Sequence, residues 1–226
     1  MPKIEQVFVG CPFKSNVRKS YDRLKADLES QTPLRIVLAD TTSISSTDYL
    51  LEHITSLIRD SAACVFDATG GNPNVSLEVG IAHALPAEFL LTFNSRKPRS
   101  PSLKARKGTK RPPDLGKAII ADLQGRNRIE YKSYPALREQ VTKRYLAKLP
   151  YMKRWLDFEK DKKSYIPYAL RVFHEIRSSG RTVGPRVEAI LSNSGISRTA
   201  LTKAMTKHRL VTVRRGRDGG YFYPTK

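Results

Sequence analysis

Apolar and polar positions along the first 150 residues predict strands that alternate with helices. Short runs rich in β-branched and aromatic residues indicate strands, at residues 6–10, 34–40, 62–68, 88–93 and 128–133. Between them, apolar residues recur every three or four positions, which indicates helices, at residues 16–29, 46–60, 73–85 and 136–149. Because strands and helices alternate, we predict an α/β fold, with a parallel sheet and helices on both of its faces.

The pattern changes from residue 165 onward. Three helices are predicted at residues 165–180, 183–195 and 196–210, with Ser197 as the N-cap of the third. In that third helix Leu201, Ala204 and Met205 are expected to face the core. Two short β runs then flank a basic, Gly-rich tip at residues 214–220. Three helices followed by a hairpin resemble a winged helix-turn-helix domain.

These patterns divide the chain into three parts. Residues 1–150 form the predicted α/β domain, residues 151–164 a helical connector, and residues 165–226 the winged-helix domain. Within the first part, residues 95–113 contain eight basic residues and no acidic one, together with several Pro, Ser and Gly. Such a segment is too polar to pack, so it is either a solvated insertion or an arm that contacts nucleic acid.

Charge is distributed unevenly over the 226 residues. Residues 1–94 contain 8 Lys and Arg against 11 Asp and Glu, whereas residues 95–226 contain 33 against 10, which gives the formal net charge of +20. The asymmetry favours a polyanion as the partner of the second half, and nucleic acid over an anionic membrane, because no basic amphipathic membrane helix is evident. Cys11 and Cys64 lack the spacing of a disulfide framework or a zinc site. We expect a cytoplasmic protein, with the nucleoid as a second location, because neither a signal peptide nor a long apolar run is found.

The stretch 67–85, DATGGNPNVSLEVGIAHAL, places a carboxylate inside an apolar helix. Asp67 ends the third predicted strand, Asn72 is a good N-cap and Pro73 a good first helical residue. The helix is apolar nearly all round, so we expect it to be largely buried, with Gly80 at a close backbone approach. Glu78 must then reach a cleft, a partner or the surface.

Ligands of open parallel α/β sheets bind at the carboxyl ends of the strands. The loops at residues 11–13, 40–42 and 67–74 lie at that edge. Glu78 is one to two helical turns beyond the third strand and is expected to face the same crevice. The alternative is that Glu78 is an ordinary exposed helix residue.

Two segments carry a family resemblance. VFVGCPF at residues 7–13 and the stretch 67–85 resemble nucleoside 2-deoxyribosyltransferase-like proteins and the related TIR-like proteins, and residues 119–141 resemble the end of that domain. The resemblance covers roughly residues 5–148 and implies a flavodoxin-like sheet. It also implies cleavage or exchange of the bond between a ribose and a base, or between ribose and nicotinamide in NAD.

The resemblance assigns Glu78 to the anomeric carbon. A carboxylate can attack an oxocarbenium-like centre or stabilise its charge, and the leaving base needs a proton donor. Asp67 is the second catalytic candidate, and Asp40 is an alternative donor. The predicted substrate-binding residues surround the crevice: Cys11, Pro12, Phe13, Asp40, Thr69, Gly70, Asn72 and Asn74. Phe13 could stack on a base, and Asn72 and Asn74 could hydrogen-bond sugar hydroxyls or phosphate. We expect no metal and no required cofactor, with NAD or a nucleotide as substrate or ligand.

The predicted nucleic-acid-binding residues lie on the third helix of the winged-helix segment and on the hairpin. The helix would enter the major groove and the hairpin tip would reach the backbone or the minor groove, which favours DNA over RNA. These residues are Arg198, Thr199, Thr202, Lys203, Lys207, Arg214, Arg215 and Arg217.

The favoured interpretation is an enzyme, an N-glycosidase-type effector tethered to a DNA-binding winged helix, as in a bacterial anti-phage defence or toxin module. A homo-oligomer or a larger defence complex is compatible with it. The alternative is a non-catalytic transcription regulator that senses a nucleotide. In a third interpretation the winged helix docks on protein or RNA inside a larger complex.

Overall fold

A five-stranded parallel sheet forms the centre of the first part of the chain. This computed structural model describes residues 2–13, 16–39, 47–95 and 128–225. The strands follow the order β2-β1-β3-β4-β5 and all neighbouring pairs are parallel. Their bounds are Lys3–Gly10 for β1, Arg35–Leu38 for β2, Ser61–Asp67 for β3, Phe89–Asn94 for β4 and Arg128–Tyr131 for β5. This is the strand order of flavodoxin-like sheets, so the predicted parallel α/β architecture is confirmed.

Helices cover both faces of this sheet. Alternate residues of β1 and β3 point to opposite faces, so Val7, Val9 and Val65 belong to one apolar core and Phe8 and Phe66 to the other. The first core is covered by α1 (Asn16–Gln31) and α4 (Tyr134–Gln140), and the second by α2 (Thr47–Arg59) and α3 (Pro73–Ala84).

Strand register brings the carboxyl ends of β1, β3, β4 and β5 together. Gly10 pairs with Phe66, Asp67 with Thr92, and Asn94 with Tyr131. The carboxyl ends of four neighbouring strands therefore form one edge, where the sequence places the candidate site.

The segment predicted as one helix at residues 136–149 is not continuous. After α4 the backbone forms one π-helical segment at Val141–Tyr145 and a 3-10 turn at Leu146–Lys148. Leu149 is extended, with φ −62° and ψ 137°, and Pro150 begins α5 (Pro150–Asp161). A proline disfavours helical backbone at the residue before it, which explains the interruption at Leu149.

The C-terminal part consists of three helices and a hairpin. The helices are α6 (Ile166–Ser179), α7 (Gly184–Leu191) and α8 (Arg198–Lys207), and strands β6 (Thr212–Arg214) and β7 (Gly220–Phe222) pair antiparallel. Leu201, Ala204 and Met205 of α8 are buried as predicted. The predicted cap is also confirmed, because the Ser197 hydroxyl accepts the amide of Ala200 at 3.1 Å.

The C-terminal part contacts the sheet part through a shared apolar core and through hydrogen bonds from Arg177. Trp155 and Phe158 of α5 belong to a core that also contains residues of β1 and α8. Arg177 of α6 donates to the carbonyls of Thr32 at 3.2 Å and Leu34 at 3.3 Å, next to the end of α1. The helix predicted as a connector is therefore packed on both sides. Among the described residues, none of the helices is both long and apolar enough to cross a membrane.

Several predicted features lie outside the described residues. Asp40 is one of them, and the basic insertion at residues 95–113 is described only at Ser95. The predicted division into three domains stays a prediction.

Candidate functional site

The turn between β3 and α3 fixes where the candidate helix begins. Gly70 and Gly71 have positive φ values of 78° and 61°, which glycine adopts without the steric cost of a Cβ. Asn72 is extended, and its side-chain oxygen accepts the amides of Asn74 at 2.9 Å and Val75 at 3.3 Å. With Pro73 as the first helical residue, the predicted N-cap and helix start are confirmed.

Helix α3 is buried on one face only. Val75, Glu78, Val79 and Ala82 are buried, whereas Leu77 on the opposite face is 55% exposed. The expectation of a largely buried helix is therefore only half right.

The expected close backbone approach at Gly80 is wrong. Gly80 is exposed, and a Cβ built there meets no atom within 4 Å. The close approach is instead at Gly10, the last residue of β1. A Cβ at Gly10 would overlap the Oε2 atom of Glu78 and lie 2.7 Å from Cδ1 of Phe66.

The Glu78 carboxyl group is buried at the carboxyl edge of the sheet. Its side chain lies over Gly10, and the residue is only 4% exposed. Within the described part of the chain, Oε2 has no hydrogen-bond partner. Burial therefore raises the pKa of Glu78 from 4.5 to about 8. A buried carboxyl oxygen without a partner is costly, so this arrangement needs an explanation.

Asp67 lies near this site but is engaged by protein groups. It is fully buried; its Oδ1 accepts the amide of Thr69 at 2.8 Å and its Oδ2 accepts the hydroxyl of Tyr131 at 2.7 Å. Burial raises the pKa of Asp67 above its usual range, while the hydrogen bonds from Thr69 and Tyr131 act in the opposite direction. Asp67 and Glu78 are thus held in different ways: both oxygens of Asp67 accept hydrogen bonds, whereas Oε2 of Glu78 has no partner among the described residues.

The predicted substrate-binding residues differ in accessibility. Cys11 is buried, which raises the pKa of its thiol to about 12 and makes it a poor nucleophile. Pro12 and Phe13 are half-buried, and the Arg18 guanidinium lies 5.6 Å from the centre of the Phe13 ring. Thr69 is nearly buried, and its hydroxyl accepts the amide of Asn94 at 2.8 Å.

The remaining predicted substrate-binding residues that the structure describes lie at the turn between β3 and α3, on its solvent side. Gly70 and Asn74 are exposed, and Asn72 is half-buried while it caps α3. The exposed Asn74 and the buried Glu78 therefore do not share an environment, although they are four residues apart.

Sequence reasoning missed three residues of this edge, namely Gly10, Tyr21 and Tyr131. The Tyr21 hydroxyl shares a hydrogen bond with Thr92, which in turn donates to the Phe66 carbonyl at 3.2 Å. Tyr131 stands 64 positions from Asp67 in the chain. The one available signal was the position of Gly10 at the end of a predicted strand and of Tyr131 within another.

The predicted nucleic-acid-binding residues of α8 fall into two groups. Arg198 pairs with Glu188 of α7 at 3.0 Å, and Thr202 bonds both the Arg198 carbonyl and the Tyr221 hydroxyl. These two side chains hold α8 against α7 and the hairpin. Arg198 is nevertheless exposed, as are Thr199 and Lys203, which lie one helical turn apart.

The basic residues of the hairpin are also exposed. The Arg214 guanidinium lies 4.9 Å from the centre of the Phe222 ring, and Arg215 and Arg217 follow at the tip. Lys207, at the end of α8, is 3.6 Å from Asp161 of α5.

A cavity and the possible metal ligands remain to be described. A cavity of about 460 Å³ between α1 and α6 contains none of the predicted site residues; it is lined by Ala26, Glu29, Ser30, Pro167, Leu170, Arg171, His174 and Arg177. Its polar groups are largely engaged, since Arg177 donates to backbone carbonyls and Glu29 accepts the Ile36 amide at 2.8 Å. In the described ranges, no group of three or more His, Cys, Asp and Glu residues could hold a metal ion.

Comparison with known proteins gives distant structural likenesses only. Neither a family model nor a curated protein matches the chain. A 2-desoxiribosyltransferase from Leishmania mexicana has a TM-score of 0.37 and 15% identity, over 42% of this chain and 67% of that one. A conserved protein from Enterococcus faecalis V583 has a TM-score of 0.44 and 13% identity, over 62% and 98%.

A third solved structure is a CMP N-glycosidase from Clostridium botulinum. Its TM-score is 0.42 and its identity 14%, over 61% of this chain and 97% of that one. These likenesses are too distant to carry an argument about activity.

Proposed function

We propose that the edge around Glu78 is the catalytic centre of an N-glycosidase that acts on a nucleotide or on NAD. The observation that carries the proposal is the buried Glu78 carboxyl group over Gly10, whose Oε2 has no partner among the described residues. Natural proteins rarely bury a carboxyl oxygen without a hydrogen bond, and the exceptions cluster at functional sites. The motif around Glu78, which resembles that of the deoxyribosyltransferase-like and TIR-like proteins, supports the same assignment.

The proposed reaction breaks the bond between the anomeric carbon and a nitrogen of the base. The bonding electrons leave with the base, and positive charge develops on the sugar. A nucleotide base takes up a proton as it leaves, whereas nicotinamide, which is cationic in NAD, leaves as a neutral molecule without one. The Glu78 carboxylate either bonds to the anomeric carbon or stabilises the charge until water adds. Hydrolysis yields the free base and the sugar; the proton lost by water balances the one taken up by a nucleotide base, and with NAD it is released to solvent.

The test is release of free base by the purified full-length protein. Wild type, Glu78→Gln and Glu52→Gln are incubated with NAD and a panel of nucleotides and deoxynucleotides, with and without duplex DNA, and free base is measured by chromatography. Glu52 is exposed on α2 and serves as the matched control. We expect release by wild type and by Glu52→Gln, and loss of at least about a hundredfold in Glu78→Gln. Equal release by wild type and Glu78→Gln would overturn the proposal.

One observation favours a second function, the sensing of a nucleotide without its cleavage. A pKa of about 8 keeps much of Glu78 protonated at neutral pH, and a neutral carboxyl group binds a ligand by hydrogen bonding rather than by attack. This function predicts saturable binding of a nucleotide that is recovered intact, and a duplex-DNA affinity that changes with the ligand.

The second part of the proposal is that residues 165–226 form a winged-helix domain that binds duplex DNA. Helices α6, α7 and α8 followed by the β6–β7 hairpin support it. The exposed face of α8, with Thr199 and Lys203, and the hairpin tip, with Arg214, Arg215 and Arg217, supply the groove and backbone contacts. In the cell, DNA binding would control the destruction of nucleotide or NAD, as expected of a defence or toxin module.

The salt dependence of the affinity for duplex DNA shows which residues contact the phosphate backbone. Binding of a labelled duplex is measured by fluorescence anisotropy at several salt concentrations for wild type, Lys203→Ala and Arg59→Ala. Lys203→Ala is expected to lower the slope of log affinity against log salt by about one, because one phosphate contact is lost. Arg59, exposed at the end of α2, is the control. Absence of duplex binding, or an unchanged slope in Lys203→Ala, contradicts the assignment.

A further inference from the structure

Asp67 and Tyr131 form a buried pair beside the Glu78 site. We propose that both are positioning residues, which hold the turn leading into α3 and thereby place Glu78, and that Asp67 does not exchange a proton with substrate. The proposal rests on the function proposed for Glu78. It replaces the role that the sequence suggested for Asp67 and assigns a role to Tyr131, which the sequence did not reveal.

Both carboxyl oxygens of Asp67 accept a hydrogen bond from the protein. Asp67 is fully buried; Oδ1 accepts the Thr69 amide at 2.8 Å and Oδ2 accepts the Tyr131 hydroxyl at 2.7 Å. Both lengths are normal for hydrogen bonds to a carboxyl oxygen. A substrate in the crevice would compete with these protein groups for the carboxyl oxygens.

The pair is linked to the turn by further hydrogen bonds. The Ala68 amide donates to the Thr92 carbonyl at 2.9 Å, and the Asn94 amide donates to the Thr69 hydroxyl at 2.8 Å. The two residues that follow Asp67 are therefore tied to β4, while Asp67 itself is tied to β5. Together these bonds fix the first part of the turn to two neighbouring strands, β4 and β5.

In the second part of the turn, before the Asn72 cap, the Gly71 amide donates to the Ala68 carbonyl at 3.2 Å, a bond within the turn rather than to a strand. Gly70 and Gly71 are the least restricted residues of the backbone, and a Cβ at Gly70 meets nothing within 4 Å. Placement of α3 therefore depends on the anchored residues before the glycines and on its buried face. Because a helix moves as a rigid rod, a shift at its start reaches Glu78, and a shift of about 1 Å can cost about a hundredfold in rate.

A consequence concerns the proton that the leaving base needs. Asp67 is fully buried and engaged by Thr69 and Tyr131, which argues against it as this donor. The donor is therefore water or a group other than Asp67.

The test compares Asp67→Asn and Tyr131→Phe with Tyr134→Phe in the full-length protein. The Tyr134 hydroxyl donates to the Asp27 carboxylate, so Tyr134→Phe removes a tyrosine–aspartate hydrogen bond of the same kind. Hydrogen–deuterium exchange is followed in residues 68–79, and kcat and KM for base release are measured between pH 5 and 9.

We expect exchange in residues 68–79 to accelerate at least about tenfold in Asp67→Asn and in Tyr131→Phe, and not in Tyr134→Phe. The two variants should lose kcat by similar factors, keep both limbs of the pH profile, and show no further loss when combined, because they break the same unit. Loss of one pH limb in Asp67→Asn, or full activity in Tyr131→Phe, would overturn the proposal.

Failure of the proposed function has a different signature. If wild type releases no base from any substrate, the N-glycosidase proposal fails, while the exchange rates still decide whether the pair holds the turn. If Asp67→Asn does not fold, Tyr131→Phe decides alone, because it removes one hydroxyl from the same bond and leaves the carboxylate in place. Unchanged exchange in Tyr131→Phe contradicts the positioning role whatever the activity.

Discussion

Replacement of Glu78 by Gln is expected to stabilise the folded protein at alkaline pH and to have little effect in acid. Burial raises the pKa of Glu78 from 4.5 to about 8. Between these values the folded state binds a proton that the unfolded state has released. The stability of wild type therefore falls as pH rises through this window. Gln is neutral at every pH and has nearly the size of protonated Glu, so the variant does not undergo this loss.

The size of the effect follows from the pKa shift. One pKa unit corresponds to about 1.36 kcal/mol, so at pH 7 the ionisation of Glu78 costs wild type about 3 kcal/mol of unfolding free energy, given a folded pKa of about 8 and an unfolded pKa of 4.5. Above pH 8 the cost approaches about 5 kcal/mol. Glu78→Gln should gain these amounts relative to wild type, which would make Glu78 a residue retained for function against stability.

Urea denaturation at half-unit steps between pH 4.5 and 8.5 measures this difference. Wild type, Glu78→Gln and Glu52→Gln are compared at equal ionic strength, and midpoints and slopes are fitted together. Other buried carboxyl groups, such as Asp67 and Glu5, titrate in all three proteins and cancel in the difference. Glu52, exposed on α2, should give a difference that does not change with pH.

The reasoning is refuted by a difference between wild type and Glu78→Gln that stays constant from pH 5 to 8.5. It is also refuted if wild type gains stability relative to the variant as pH rises. Either result would mean that the carboxylate form of Glu78 is satisfied in the folded protein.

Further predictions concern the glycines and the cap around the site. Gly10→Ala should lower stability by about 1–3 kcal/mol through overpacking against Glu78 and Phe66. The same change should lower the thermal midpoint less in a Glu78→Ala background than in wild type. An equal loss in both backgrounds would contradict the contact. Gly80→Ala should instead stabilise by up to about 1 kcal/mol, because the position is helical, exposed and unobstructed; a lower thermal midpoint would show an obstruction. Asn72→Ala should cost about 1 kcal/mol in urea denaturation through loss of the cap, whereas an unchanged midpoint would mean that the cap is dispensable.

Local patterns were sufficient for most of the elements. Alternating apolar runs and amphipathic segments give the parallel sheet with its covering helices, because residues with a period of two or 3.6 show which face they bury. Asn72 and Ser197 identify two helix starts, because a cap acts within three residues of itself. The failure at residues 136–149 arose where packing and the following Pro150 override a helical pattern.

The candidate site was predictable only in outline. Glu78 could be identified from its motif. Its side chain packs over Gly10 at the end of β1, whereas the sequence suggested Gly80 as the position of close backbone approach. The saturation of Asp67 depends on Tyr131, which strand order brings next to it. Likewise, the ion pair of Arg198 with Glu188 and the hydrogen bond of Thr202 with Tyr221 depend on residues that are distant in the chain and were not predicted.

The sequence by itself determined the alternation of strands and helices, the start of α3, and the placement of Glu78 beyond β3, because these depend on neighbours within a few residues. Only the tertiary structure decided that both oxygens of Asp67 accept hydrogen bonds while Oε2 of Glu78 has no partner among the described residues. Hydrogen bonding and desolvation depend on atoms brought together from distant parts of the chain. The different states of Asp67 and Glu78 therefore follow from strand order and register, in particular from a glycine at the end of β1 and a tyrosine at the end of β5.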